Sequence, residues 1–358
     1  MKTSSLNNNP KHPAFLSAWI VLILILITIS CTDKPLYPLP QENKLVILAE
    51  LTAGDSIQIP VTASLIAGGG NNISFEKVND ARVSLSEQGG GVVQLLPNTA
   101  SVFTDLPSAM YTHPHKIKPN TGYVLTAEHP LYGTATASVL VPQAFSVTHV
   151  TTDESSFMGR DVLRFSFNIS DPAQEKNYYL FEAVKQLVKV AHYFYWQGVK
   201  YDYDTQAGKD LFEQLEDEDE EVTLITDTIP THQFLRLGLF ATDPGSDNKT
   251  IGNMDSSFNR IFMTDTLFNG QSYPTSFAIA TNLFTSATPE QKGIILVSVK
   301  SVSKEFYDYL QQYEKYKNDF GKMPVNQLSF PTENIQNGIG ILGASFKNEW
   351  KLYYDDLE

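Results

Sequence analysis

The sequence predicts a mainly β protein: an immunoglobulin-like β-sandwich at residues 44–142, then a β-rich domain at 143–358 carrying one amphipathic helix. Three observations lead there. Short runs rich in β-branched residues, such as KLVILAEL (44–51) and SIQIPVTASL (56–65), partly alternate apolar and polar side chains. Turn-formers separate such runs: Gly68-Gly69-Gly70-Asn71-Asn72, Gly89-Gly90-Gly91 and Pro119-Asn120-Thr121-Gly122. Only one stretch keeps a sustained helical period.

Residues 1–30 read as a bacterial lipoprotein signal. Lys2 and Lys11 precede an apolar run from Ala18 to Ser30, and the chain's single cysteine, Cys31, follows at once. On this reading the chain is cut before Cys31, whose thiol carries a diacylglycerol, and acyl chains such as palmitate hold the protein to a membrane. Thr28 departs from the usual Leu, Val or Ile three places before the cysteine. Uncleaved, the same run would be a borderline membrane span. Residues 31–43 hold Pro35, Pro38 and Pro40, which resist helix and make a semi-extended tether.

In the sandwich, ARVSLSE (81–87), GYVLTAEH (122–129) and TATASVLVP (134–142) complete the predicted strands. The second domain opens with FSVTHVTT (145–152) and VLRFSFNIS (162–170). YYLFEAVKQLVKVAHYFYW (178–196) forms one or two strands, and an acidic insertion follows at 202–221. FLRLGLFA (234–241), RIFMTD (260–265), YPTSFAIAT (273–281) and GIILVSVKSV (293–302) resume the β pattern. The helix spans Ser303 to Asn318, with Phe306, Tyr309, Leu310, Tyr313 and Tyr316 on one stripe predicted to pack on a sheet. Ser303 stands at its N-cap and Glu305 in its first turn.

Charge narrows the class of partner. The chain has 26 basic and 40 acidic residues, a net −14, and loss of the two leader lysines takes the mature chain to −16. Phosphates repel such a surface, so nucleic acid is not an expected partner. With Cys31 lipidated no disulfide can form, and packing alone must hold the fold.

Several segments resemble one family. They are the Cys-to-KLVI opening, Ala81-Arg82-Val83, the strand start at Asn120–Tyr123, and a strand ending at Val141-Pro142. FNISDPAQEKNYYLFEA (167–183), DTLFNGQSY (265–273), VSVKSVSKEFYDYLQQYEKY (297–316) and NIQNGIGILGAS (334–345) extend the match. Together they are similar to the Bacteroidetes lipoproteins catalogued as DUF4249, a domain of unknown function. Genes of that family often neighbour outer-membrane TonB-dependent receptors. The resemblance implies an outer-membrane lipoprotein partnering such a receptor, and it brings no catalytic residues.

Tests for chemistry leave few candidates. Asp202, Asp204, Gln206, Asp210 and Glu213 fall at positions one, three, five, nine and twelve of a calcium loop. Ala207 occupies the position that must turn sharply, and Gly208 comes one late, so the run reads as a solvated acidic loop. Asp202, Asp204, Asp210 and Glu213 therefore stand only as weak metal candidates. Glu216 to Glu221 is an unbroken acidic run, read as solvated. His113 and His115 read as an exposed loop beside Pro114, and His192 as a packed strand residue. No nucleophile elbow or phosphate loop is present, so neither an enzyme nor a cofactor is expected. Gly338, Gly340 and Gly343 imply a bulge or close backbone approach. Tyr193, Tyr195 and Trp196 support an alternative reading, a carbohydrate or nutrient binder that stacks sugars on aromatic rings.

Overall fold

The computed structural model describes residues 42–66, 73–98, 108–173, 175–218, 221–283, 293–322 and 331–352. Cys31, most of the tether and the glycines at 68–70 lie outside them. The described residues form one compact unit.

Strands dominate, as the alternation predicts. The N-terminal part holds β1 (Lys44–Thr52), β2 (Ser56–Ile66), β3 (Ile73–Lys77), β4 (Arg82–Glu87), β5 (Val92–Pro97), β6 (Ala109–Lys116), β7 (Gly122–His129) and β8 (Gly133–Leu140). Three of these, β3, β5 and β6, carry no strong sequence signal. Strands β1, β2 and β6 pair in one layer, and β4, β7 and β8 in the other, with β5 linking the two. Their inward residues, among them Ile47, Ile59, Leu85, Tyr123 and Leu125, share one core. Gly89, at φ +74°, makes the turn joining β4 to β5.

The second part holds β9 (Ser146–Phe157), β10 (Arg160–Ser170), β11 (Tyr178–Trp196), β12 (Val199–Asp202), β13 (Ile225–Arg236), β14 (Leu239–Phe240), β15 (Ile261–Thr264), β16 (Ser272–Ala280), β17 (Gly293–Val302) and β18 (Ile339–Leu352). Residues 178–196 are one 19-residue strand. A separate four-stranded sheet runs β14-β16-β10-β9.

Strand β18 couples the two parts. It lies parallel to β1, with Leu48 opposite Ile341 and Ala49 opposite Leu342, and antiparallel to β17. Leu342 and Ala344 face the sandwich core, whereas Ile341 enters the core of the second part. A strand covered on both faces needs a nearly continuous apolar run, and GILGA supplies it.

Two helices are described. Helix α1 (Gln206–Asp217) falls in the acidic insertion, where a loop was expected. Thr205 caps it, accepting the Gly208 N–H at 3.1 Å, while Phe212 and Leu215 pack on Phe194 of β11. Helix α2 (Lys304–Asp319) lies where the periodicity places it. Its buried face is Phe306, Tyr307, Leu310 and Glu314, whereas Tyr313 is exposed and Tyr309 and Tyr316 are half-buried. Of the predicted stripe, Phe306 and Leu310 sit in the core and Tyr309 packs against it, while Tyr313 faces outward.

A buried ion cluster ties strands to helix. Glu182 of β11 accepts from Arg236 at 2.6 Å, Arg260 at 2.7 Å and Lys300 at 2.9 Å. Lys300 also reaches Glu50 of β1 at 3.0 Å, and Arg260 reaches Glu314 of α2 at 2.8 Å. Burial pushes the Glu182 carboxyl up, but Lys300, Arg260 and Arg236 outweigh it and hold it well below the usual range. Burial alone would lower Lys300; Glu182 and Glu50 reverse that and raise it.

A carboxyl depressed in the folded state stabilises above its ordinary pKa of 4.5, and that stability is lost as pH falls through the folded value. Urea titrations should therefore show the folded state weakening below about pH 4.5. Glu182→Gln should cost ~3–5 kcal/mol at neutral pH, because three cations lose their buried partner, and should flatten the acid limb. In a separate test by thermal unfolding, Gly343→Ala should cost ~1–3 kcal/mol, since a Cβ there would overlap the Phe306 ring.

Candidate functional site

A cleft of about 690 Å³ lies between the outer face of β4–β7–β8 and the start of α2. Its sandwich wall carries Val124 and Leu140, 46% and 50% exposed, among serines. Both point outward because β7 and β8 alternate, and their inward neighbours fill the core. The opposite wall carries Lys176, Tyr178, Val302 and Lys304. Burial raises the Tyr178 hydroxyl, whose ring meets Tyr307 at 5.2 Å with the planes tilted by 52° and lies 5.5 Å from the Lys176 ammonium.

Two sequence segments fix that wall. Asp265 accepts the Asn177 N–H at 2.8 Å, and the Asn177 amide donates to the carbonyls of Pro172 (3.1 Å) and Glu175 (3.2 Å). Asp171 accepts from the Tyr179 hydroxyl at 2.5 Å and the Gly270 N–H at 2.7 Å. Burial raises the Asp171 carboxyl, and those donors counter it. A Cβ at Gly270, at φ +71°, would press on Ala173. DPAQEKNYY and DTLFNG are therefore two halves of one polar clasp holding the loop that presents Lys176 and Tyr178.

The α2 wall is set by β18. Ser303 donates its N–H to Ala344 at 2.9 Å, and its hydroxyl accepts the Ala344 N–H at 3.3 Å. Gly340, at φ +112°, has no room for a Cβ against Ile47, and Gly338 none against Ile335. These glycines serve close backbone approach.

The sequence-derived candidates fare differently. Among the described residues no group of three or more His, Cys, Asp or Glu could hold a metal. Asp202, Asp204, Asp210 and Glu213 do not converge, because α1 begins at the loop's fifth position. Asp204 instead takes the His192 ring at 2.8 Å, and Asp210 accepts from Gln206 at 2.7 Å. His113 and His115 lie in β6, not in a loop; His115 contacts Glu87 at 3.0 Å, where β6 bulges against β2. Tyr193 and Tyr195 share the open face of β11, ring edge to ring face at 5.8 Å, with Lys200 3.4 Å over Tyr193. Trp196 packs instead against the Phe194 cluster.

The sequence model of the family described as Domain of unknown function (DUF4249) matches residues 33–349. The chain belongs to the DUF4249 family. Both halves of the clasp and the glycine-rich start of β18 lie within that match. No curated protein matches it. One solved structure it matches is that of the Enterococcus faecalis MSCRAMM ACE, which binds its ligands by the collagen Hug model. Identity is 10%, over 88% of this chain and 95% of that one, at a TM-score of 0.19. At that score the likeness carries no argument. No helix among the described residues is long and apolar enough to cross a membrane.

If the clasp sets the cleft wall, Asp265→Ala should leave the fold intact at a cost of ~1–3 kcal/mol. Faster amide exchange should then be confined to residues 171–178.

Proposed function

We propose that this DUF4249 protein is a lipid-anchored cell-envelope protein of the outer membrane that works by non-covalent contact, with a TonB-dependent receptor as partner. The carrying observation is the leader: a basic start, an apolar run and Cys31 directly after Ser30. The cleft supports the contact half of the reading. Its lining joins apolar Val124 and Leu140 to charged Lys176 and Lys304, which suits recognition, and nothing in the reading calls for catalysis. Tethering supports it further, because confinement to one membrane raises the local concentration of a receptor without demanding strong intrinsic affinity.

A second reading, a surface binder of carbohydrate or another nutrient, is favoured by Tyr195, which is exposed on the open face of β11 beside Tyr193. Calorimetry with candidate glycans separates the two: heat that vanishes in Tyr195→Ala supports the binder.

For the first reading, Cys31→Ser should let an alkaline carbonate wash strip the protein from membranes that retain the lipidated form. Mass spectrometry of the native N-terminal peptide should find the acylated cysteine, and an unmodified thiol or an intact Met1 would refute the anchor. Crosslinking of the lipidated protein should recover the receptor, and repeated recovery of none would refute the partnership.

A further inference from the structure

Helix α2 carries a feature that neither the cleft nor the anchor uses. Tyr309, Tyr313, Tyr316 and Phe320 recur at spacings of four, three and four along its flank. Tyr309 and Tyr313 stack in parallel at 6.4 Å, and Tyr316 meets Phe320 at 5.7 Å. Tyr313 is 40% exposed and Phe320, which caps the helix, 61%. Rings in such a row normally face a core. Here Tyr309 packs against the core that Phe306, Tyr307 and Leu310 fill, while Tyr313 and Phe320 are left exposed.

Charge around the row is unlike that of the chain as a whole. The two acids in this end of the helix, Glu314 and Asp319, are buried and neutralised, by Arg260 at 2.8 Å and by Lys315 at 3.4 Å. The cations left outward are Lys317, 5.8 Å from the Tyr313 ring, and Lys322, just beyond Phe320. A chain of net −14 thus presents aromatic rings rimmed by lysine at one helix end. Tyrosine suits a boundary that is apolar on one side and wet on the other, and lysine pairs with phosphate there.

We propose that the C-terminal half of α2 seats in the headgroup layer of a phospholipid leaflet, with Tyr313 and Phe320 at the acyl boundary and Lys317 and Lys322 on lipid phosphates. The contact goes beyond the proposed anchor and fails separately from it, because it needs no acyl chain.

The test uses the mature chain with Cys31→Ser, which carries no lipid, and vesicles of phosphatidylethanolamine with and without phosphatidylglycerol. The chain should float with the vesicles, more with the anionic ones, and high salt should reduce that excess. The double variant Tyr313→Ser/Phe320→Ser should lose at least tenfold in bound fraction on both compositions. Lys317→Gln/Lys322→Gln should lose the anionic excess alone. Unchanged thermal unfolding certifies the folds, since all four side chains lie at the surface. If the parent chain does not float, or if both variants float as it does, the proposal is overturned. A photocrosslinker at position 320 that captures an envelope protein and no lipid overturns it too, and makes this face a protein contact.

Discussion

Strand β18 is the constraint on which the rest of the structure depends. Residues 340–345 of it are buried on both faces and serve two cores at once: Leu342 and Ala344 turn into the sandwich, and Ile341 turns into the core beneath α2. Each layer has to come close, so side chains at the contact must be small. Gly340 lets the backbone of β1 approach, and Gly343 lets Phe306 lie on the strand. The cleft follows from this. Its α2 wall is positioned through Ser303 and Ala344, and its sandwich wall is the outer face of the core that β18 helps to fill.

The Glu182 cluster is the second tie. A charge taken out of water is costly unless it is paired on all sides, and here three cations meet one carboxylate while Glu50 and Glu314 complete the balance. The partners come from β1, β11, β13, β17, α2 and the chain just before β15. Their mutual geometry is right only when all of these are assembled. Such a cluster selects one arrangement more than it adds net stability.

Much of the fold was legible because strand alternation and turn residues are local signals. Helix α2 was legible as a helix and only partly in its orientation. Tyrosine counts as apolar in a periodicity argument, yet its hydroxyl lets it sit at a surface, so Phe306, Tyr309 and Leu310 of the stripe pack on the core while Tyr313 faces outward. Helix α1 was hidden by its acids, although Thr205 as a cap and Leu211, Phe212 and Leu215 at helical spacing were there to be read. Counting oxygens toward a calcium loop failed for the same reason: a helix spreads those carboxylates around its surface. Strands β5, β6 and β13 escaped because Pro97, Pro114 and Pro230 and exposed polar residues blur their patterns. The ion cluster and the clasp could not be read at all. Glu50 and Lys300 are 250 residues apart in sequence, and Asn177 and Asp265 are 88 apart.

The central claim is that residues 44–142 and 143–352 hold together through β18 as one cooperative body. Native-state amide exchange across a denaturant series, read by mass spectrometry on the whole chain, tests it most directly. The account predicts that amides in β1, β7, β17 and β18 merge onto a single opening reaction of the highest free energy. Separate opening of β1 to β8, at a free energy well below that of β17, would contradict it.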